Sequence, residues 1–326
     1  MRAVVYETSG PAADVLHVVD MPVPEPGPGE VRVQVRYSAI NPTDWKSRAG
    51  STARPIQGFQ IPHHDGAGVI DAVGAGVDAR RIGQRVWVFL AAHGSPWGTA
   101  AEWTVVPQER AVPLPDGVSD ELGASLGIPA LTAHICLFAG GDVATLPVLV
   151  TGGAGAVGHF AIELAKEAGA RIAATVSSAE KATLARAAGA DSVVNYHDAD
   201  ALQQLSAFAP HMARVVEVNI AANMALDLAL SGPGTVIAAY AADATDPTLP
   251  VRACMGANLT MRFVLIYTVA AAELDRAVAG VSAALGAGAL TELPVRRYAL
   301  EACAAAQDAV QQGAIGKVLL DVGATG

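Results

Sequence analysis

The sequence predicts an α/β protein of two domains: a β-rich domain from the N-terminal third and a doubly wound parallel sheet after it. Three observations predict it. The chain has 326 residues, a length at which single hydrophobic cores give way to two. Its first 120 residues show short apolar–polar alternations broken by glycine and proline. From Val148 onward, strand patterns and helix patterns alternate, with a glycine-rich loop at the first junction.

Met1-Arg2-Ala3-Val4-Val5-Tyr6 reads as a first strand and has no apolar run of signal-peptide length, so the expected location is cytoplasmic. Val31 to Val35, Val69 to Val73, Arg85 to Phe89 and Ala101 to Val106 read as further strands. Ser119-Asp120-Glu121 can cap a helix that runs past Leu131 with a kink at Pro129. Then come strand Val148–Val150 and a helix from Val157 to Ala168, whose apolar residues fall three and four apart until Gly169 stops it. Strands at 171–176, 192–194, 214–218, 234–239 and 259–265 follow, with helices at 179–188, 199–208 and 223–230 between them. The tail predicts helices at 270–285 and 300–311 and a last strand at 317–322.

Composition narrows the function classes. Hydrophobic residues are 52% and charged residues 16%, which excludes a disordered chain. The mean hydropathy of +0.36 owes much to alanine. The longest apolar stretch, Leu146 to Ala165, is cut by Pro147, four glycines and His159, so no membrane span is expected. A formal net charge of -10 argues against a nucleic-acid surface. The three cysteines, Cys136, Cys254 and Cys303, are scattered and form no CxxC, which argues against disulfides and a cysteine zinc site.

Gly153-Ala154-Gly155-Ala156-Val157-Gly158 has the GxGxxG spacing and lies between a strand and a helix. Glycines let the backbone approach a pyrophosphate, and the helix start supplies free N–H groups. The plain alternative is an ordinary tight turn. NAD-specific sites place an acid about 20 residues on, against the ribose hydroxyls. No acid occurs between Glu167 and Glu180; the second strand ends in Ser177-Ser178, with Lys181 one turn later. Hydroxyls and an ammonium suit a 2′-phosphate, so NADPH is expected over NADH. Ser177 and Ser178 can equally cap the next helix.

These residues, with Asn41-Pro42-Thr43-Asp44-Trp45, His64-Asp65-Gly66-Ala67-Gly68-Val69-Ile70, Gly127-Ile128-Pro129-Ala130-Leu131-Thr132-Ala133, Gly189-Ala190-Asp191, Asn195-Tyr196 and Gly316-Lys317-Val318, resemble the zinc-independent quinone oxidoreductases. That family, also called zeta-crystallin-like, belongs to the medium-chain dehydrogenase/reductase superfamily. The resemblance runs nearly end to end. It implies a GroES-like catalytic domain from residues 1–120 and 266–326, a Rossmann cofactor domain from residues 121–265, and an active site in the cleft between them. It also implies a homodimer paired through the cofactor domain. By the same resemblance Ser177, Ser178, Lys181 and Tyr196 surround the 2′-phosphate. Asn219 and Ala241 lie along the cofactor, and Phe263 and Leu265 lie near the nicotinamide. Asn41, Thr132 and Lys317, inside the matching motifs, complete the cofactor set. Two departures stand out: Ala156 replaces a glycine of the loop, and Trp45-Lys46 stands where a tyrosine is common.

His63-His64-Asp65 with Asp44 invites a metal reading. Zinc-dependent relatives need a cysteine where this chain has Asn41 and another later, and neither is present. Catalytic zinc wants three protein ligands, so no metal is expected. Hydride reduction of a quinone needs little acid–base machinery, and the protein's part is positioning. Asn41 is expected to orient the cofactor or a carbonyl oxygen. Trp45, His64, Trp97, Ile128 and Phe263 are candidates for the substrate slot, although plain packing explains Trp45 and Trp97 as well. His93, on a loop, is a weaker candidate. The expected partner is a small-molecule acceptor, a quinone or an enone. Reduction of an enone or enoyl C=C bond is the alternative within the enzyme class; a non-catalytic, crystallin-like NADPH-binding protein is the alternative outside it.

Overall fold

A computed structural model describes residues 1–52, 55–242 and 246–323. It divides into two compact units, Met1–Ile128 with Glu292–Gly326, and Pro129–Thr291. The last three residues of the expected return segment, 324–326, lie outside the described residues.

The first unit opens with β1 (Arg2–Val5) and a short helix, α1 (Ala12–Val15), and β2 (His17–Asp20) returns antiparallel to β1. The long strand β3 (Glu30–Ile40) leads into α2 (Pro42–Arg48) and is followed by β4 (Asp65–Val73), β5 (Arg85–Val88), β6 (Trp103–Pro107) and β7 (Ala111–Pro113). On β3, Val31, Val33 and Val35 are buried while Gln34 and Arg36 are exposed, the period-2 pattern of a half-buried strand. Its pairing with β4 slips at Arg32/Val33 and again at Val35/Tyr37. Such irregularities bend a strand. β6 pairs with residues 30–34 of β3.

α3 (Asp120–Leu137) leads out of this unit and breaks at Gly127, where φ is −14° and ψ −110°. The sequence placed the kink at Pro129. Proline disturbs the helix on its N-terminal side, so the break falls two residues earlier. Gly127 also lies against the Asp65 carboxyl group: a Cβ there would sit 2.1 Å from Asp65 Oδ1.

In the second unit β8 (Pro147–Val150), α4 (Ala156–Glu167), β9 (Arg171–Val176), α5 (Ala179–Ala187), β10 (Ser192–Asn195), α6 (Ala201–Phe208), β11 (Met212–Glu217), α7 (Ile220–Ala229), β12 (Ser231–Ala239), α8 (Val251–Gly256), β13 (Thr260–Phe263) and α9 (Ala271–Gly286) follow in turn. The six strands form one parallel sheet in the order β10-β9-β8-β11-β12-β13. This is the doubly wound Rossmann order, which reverses beside β8 and places ligands at the strand ends there. The near-continuous apolar runs of β8 and β9 are fully buried, as a sheet covered on both faces requires.

The chain then re-enters the first unit with β14 (Val295–Ala299), α10 (Cys303–Gln311) and β15 (Lys317–Asp321). β15 pairs antiparallel with residues 37–40 of β3, so β3 carries β6 along one half and β15 along the other. The two units divide at 128/129 and 291/292. α9 packs on α4, and Thr291 donates its backbone N–H to the buried Glu163 carboxylate of α4 at 3.1 Å, which holds this stretch to the second unit. Among the described residues no helix is long and apolar enough to cross a membrane.

Candidate functional site

The glycine loop begins where β8 ends. Gly152 takes a left-handed φ of 68°, which turns the chain. Gly153 and Gly158 are enforced by packing: a Cβ on Gly158 would lie 2.3 Å from Gly152 O, and one on Gly153 2.8 Å from Ala174 Cβ. Gly155 is different. It is exposed, it caps α4 with no side chain to occupy the first-turn amides, and a Cβ on it would meet nothing closer than Gly152 O at 3.4 Å. The fold does not need a glycine at 155; a ligand lying against the amides of Ala156 and Val157 would. Ala156 is half-buried on the first turn of α4 and fits without crowding.

Four predicted residues follow the ends of β9 and β10. Lys181 Nζ donates to Ser177 Oγ at 2.9 Å, while Ser178 Oγ caps α5 by accepting from Lys181 N at 3.3 Å. Tyr196 follows β10, donates its backbone N–H to Val176 O at 3.0 Å, and leaves its ring 49% exposed. Thus Ser178 caps its helix, as the plain alternative has it, and Ser177 is paired with the ammonium.

Across the switch point, Thr151 Oγ1 accepts from Val218 N at 2.9 Å. Asn219 caps α7 by accepting from Ala222 N at 3.3 Å, and its own N–H donates to Glu217 Oε1. Glu217 and Asp227 are both fully buried. Burial, and then the charge of Glu217, push the Asp227 carboxyl up to about 9, and burial raises Glu217 too. Ala241 is half-buried just past β12. Phe263 and Leu265, at the end of β13, are 71% and 56% exposed. Thr132, on α3, is buried.

The first unit holds a buried polar cluster. Asn41 sits at the N-terminus of α2 with its amide gripped at both ends: Nδ2 donates to Asp65 Oδ2 at 2.6 Å, and Oδ1 accepts from Lys317 Nζ at 2.6 Å. Ile128 N donates to Asp65 Oδ2 at 2.9 Å, so the Gly127 break and the Asp65 carboxylate support each other. The Asn41 N–H donates to Asp44 Oδ2 at 2.6 Å. Burial pushes Asp44 up to about 8 and Asp65 up to about 6, with the Lys317 ammonium opposing both shifts. Burial lowers Lys317, and Asp65 and Asp44 pull it back. His63, at a left-handed φ of 74°, contacts Ser38 Oγ through Nδ1 at 2.9 Å, and burial lowers it to about 3, keeping it neutral. A cavity of about 40 Å³ adjoins Asp44, His63 and His64.

Not every predicted residue lies in these clusters. Trp97 packs edge-on against Phe59, with ring centroids 5.3 Å apart, in the apolar core of its unit. Trp45 is half-buried on α2 under the Lys46 ammonium. Lys317, expected along the cofactor, is buried in the Asn41 cluster. Asp44 and Asp65 were absent from the predicted catalytic set. Their signal in the sequence was their place inside the two motifs, Asn41 to Trp45 and His64 to Ile70. Among the described residues no three His, Cys, Asp or Glu side chains are grouped to hold a metal ion.

Known proteins match this arrangement. The family model for the alcohol dehydrogenase GroES-like domain matches residues 27–116, and that for the zinc-binding dehydrogenase matches residues 156–282. Quinone oxidoreductase of Homo sapiens is 28% identical over 326 residues, covering 98% of this chain and 97% of the relative. The chloroplastic quinone-oxidoreductase homolog of Spinacia oleracea is 33% identical over 205 residues; the match takes in 60% of this chain and 61% of that protein, under two thirds of its length. Among solved structures, an NAD-dependent alcohol dehydrogenase superposes with a TM-score of 0.89 at 30% identity, covering 99% of this chain and all, 100%, of that one. The quinone oxidoreductase of Thermus thermophilus, solved also with NADPH, does so with a TM-score of 0.81 at 27% identity, covering 98% and 100%. A GroES-like unit joined to a Rossmann unit defines a medium-chain dehydrogenase/reductase. Within that superfamily the chain belongs to the quinone oxidoreductase family.

Proposed function

We propose that the protein is an NADPH-dependent reductase that delivers hydride to a quinone or similarly activated small acceptor, without a metal. The observation that carries the cofactor choice is the Lys181–Ser177 pair just past the end of β9, with no carboxylate between Glu167 and Glu180. An ammonium and a hydroxyl favour a 2′-phosphate there, whereas an NAD site would present an acid. The open face of Gly155 fits a pyrophosphate on the α4 amides. When bound, NADPH supplies the hydride; the side chains hold and orient. Asn41, fixed by Lys317 and Asp65, presents a rigid amide. Phe263 and Leu265 offer apolar surface for the nicotinamide and acceptor.

The metal-free reading is supported by the donor set. Asn41 and Asp65 are hydrogen-bonded to each other, and the Lys317 ammonium already supplies the positive charge beside them. The exposed apolar end of β13, an edge strand, supports pairing with a second copy through the cofactor unit.

Steady-state oxidation of NADPH and NADH against a panel of quinones and enones tests the proposal. Quinone-dependent turnover with NADPH preferred is expected. Turnover with enones alone would shift the reaction to C=C reduction. Silence across the panel with tight NADPH binding would favour a non-catalytic role. Stoichiometric zinc in protein purified without added metal would overturn the metal-free reading.

A further inference from the structure

His63 holds a backbone conformation that glycine adopts freely and most side chains avoid, with φ at 74°. Such a conformation persists where the surroundings hold it. Here the holding bonds form a chain with a single direction, wholly inside the first unit.

Arg48 Nε donates to Gln307 Oε1 at 3.1 Å. A guanidinium only donates, so it settles which way round the Gln307 amide lies. Gln307 Nε2 therefore meets the ring as a donor, 3.1 Å from His63 Nε2. Cys303 Sγ lies 3.9 Å from the same nitrogen. That nitrogen must accept, and the proton of a neutral imidazole then sits on Nδ1.

The other end of the chain gives the same answer independently. The Asp65 carbonyl only accepts, so Thr99 Oγ1 gives it its one hydrogen, at 2.7 Å. Thr99 Oγ1 must then accept from Ser38 Oγ at 2.8 Å, and Ser38 in turn from His63 Nδ1 at 2.9 Å. All five side chains are buried, where a reversed hydrogen bond is not replaced by one to solvent. A ring protonated on Nε2 would set donor against donor at Gln307, and its bare Nδ1 would face the lone pairs of Ser38.

Thr99 grips the turn twice, through its N–H to His63 O at 3.0 Å and its hydroxyl to Asp65 O. Asp65 is also the residue whose carboxylate takes Asn41 Nδ2. With Lys317 on Asn41 Oδ1, that contact decides which way the Asn41 amide points.

We infer that His63, held as the neutral Nδ1–H tautomer, is a positioning residue: through Ser38 and Thr99 it sets the main chain of Asp65, and so the orientation of the Asn41 amide. Its effect on turnover rests on the reductase reading above.

Three measurements on the full chain test this. With isotope-labelled histidine at pH 7, proton–nitrogen correlation spectra should show the His63 ring protonated on Nδ1 and bare on Nε2. The side-chain amide of Asn41 should give one sharp pair of signals, shifted or broadened in His63→Gly and in Thr99→Val. His63→Gly keeps the turn, because glycine takes a φ of 74° without strain, and removes only the ring. With NADPH and a quinone, both variants should lose about 10- to 100-fold in kcat at an unchanged KM for NADPH, the cost of a misplaced group. Thr99→Ser, which keeps the hydroxyl, should retain the wild-type rate and Asn41 signals, whereas a role in packing alone would favour valine over serine. Near-ultraviolet circular dichroism checks the fold, and the Thr99 pair reads the same chain if His63→Gly does not fold. A His63 ring protonated on Nε2 would overturn the inference, as would folded His63→Gly and Thr99→Val proteins with wild-type Asn41 signals or wild-type kcat. A wild type silent with every acceptor, its spectra as expected, would instead sink the reductase reading and leave the positioning of Asn41 standing.

Discussion

Lys181 reaches back across the first turn of α5 to Ser177, Nζ to Oγ 2.9 Å, just beyond the last paired residue of β9. One of its three N–H bonds goes to the hydroxyl, which leaves two for a ligand. Ser177 keeps its own hydrogen to donate.

Lys181→Ala should therefore weaken NADPH binding by about 10- to 100-fold, the loss of a charged hydrogen bond worth about 1.5–3 kcal/mol, and leave NADH binding nearly unchanged. Calorimetric titration of both cofactors checks this. Equal wild-type affinities for the two would remove the basis for the NADPH preference.

The loop glycines should separate by function. Gly158→Ala drives a methyl group into Gly152 O and should cost about 1–3 kcal/mol of stability, seen as a lower Tm. Gly155→Ala meets only ordinary contact and should keep its Tm while losing cofactor affinity. A Gly155→Ala protein with unchanged affinity would mean that no phosphate lies against that residue.

The Lys317–Asn41–Asp65 chain should behave as a unit. Lys317→Met leaves a buried carboxylate without its cation and should destabilise the fold by about 3–5 kcal/mol. Asp65→Asn with Lys317→Met should cost less than the sum of the single changes. Urea unfolding of the four proteins completes the cycle; simple additivity would show that the two groups do not interact.

Asp227 makes stability depend on pH in a defined direction. Its pKa is raised in the fold, to about 9 from 3.8, so the folded state binds more protons than the unfolded state between those values. Its contribution is complete below about 4 and is lost as pH rises through about 9. Asp227→Asn should flatten the decline of unfolding free energy on the alkaline side, measured by urea titrations from about pH 5 to 10. An unchanged slope would show that Asp227 titrates normally.

The second unit was largely legible in the sequence because its signals are local. A buried parallel strand, a glycine turn and an amphipathic helix each fall within a dozen residues, and it is the strand before Gly152 and the helix after it that lift the glycine spacing above an ordinary turn. Ser177 and Lys181 were legible for the same reason, being one helical turn apart. The polar cluster was not. Lys317 meets Asn41 because β15 pairs beside the end of β3, and Asp65 meets Ile128 because α3 breaks at Gly127. Those contacts join distant parts of the chain, and no period or spacing encodes them. Trp97, an aromatic residue on a loop, packs against Phe59, a contact that joins residues far apart in the chain.

The end of β9 carries a consequence for the history of such proteins. Ser177 and Lys181 lie past the last paired residue of β9, and residues that hold the sheet, such as Ile172 to Ala174, are buried. Selection can thus rewrite dinucleotide preference on a rim that folding barely constrains. An aspartate at 177 with a neutral residue at 181 would be the shortest such mutational path, and close relatives with opposite preferences would differ there while sharing the same scaffold.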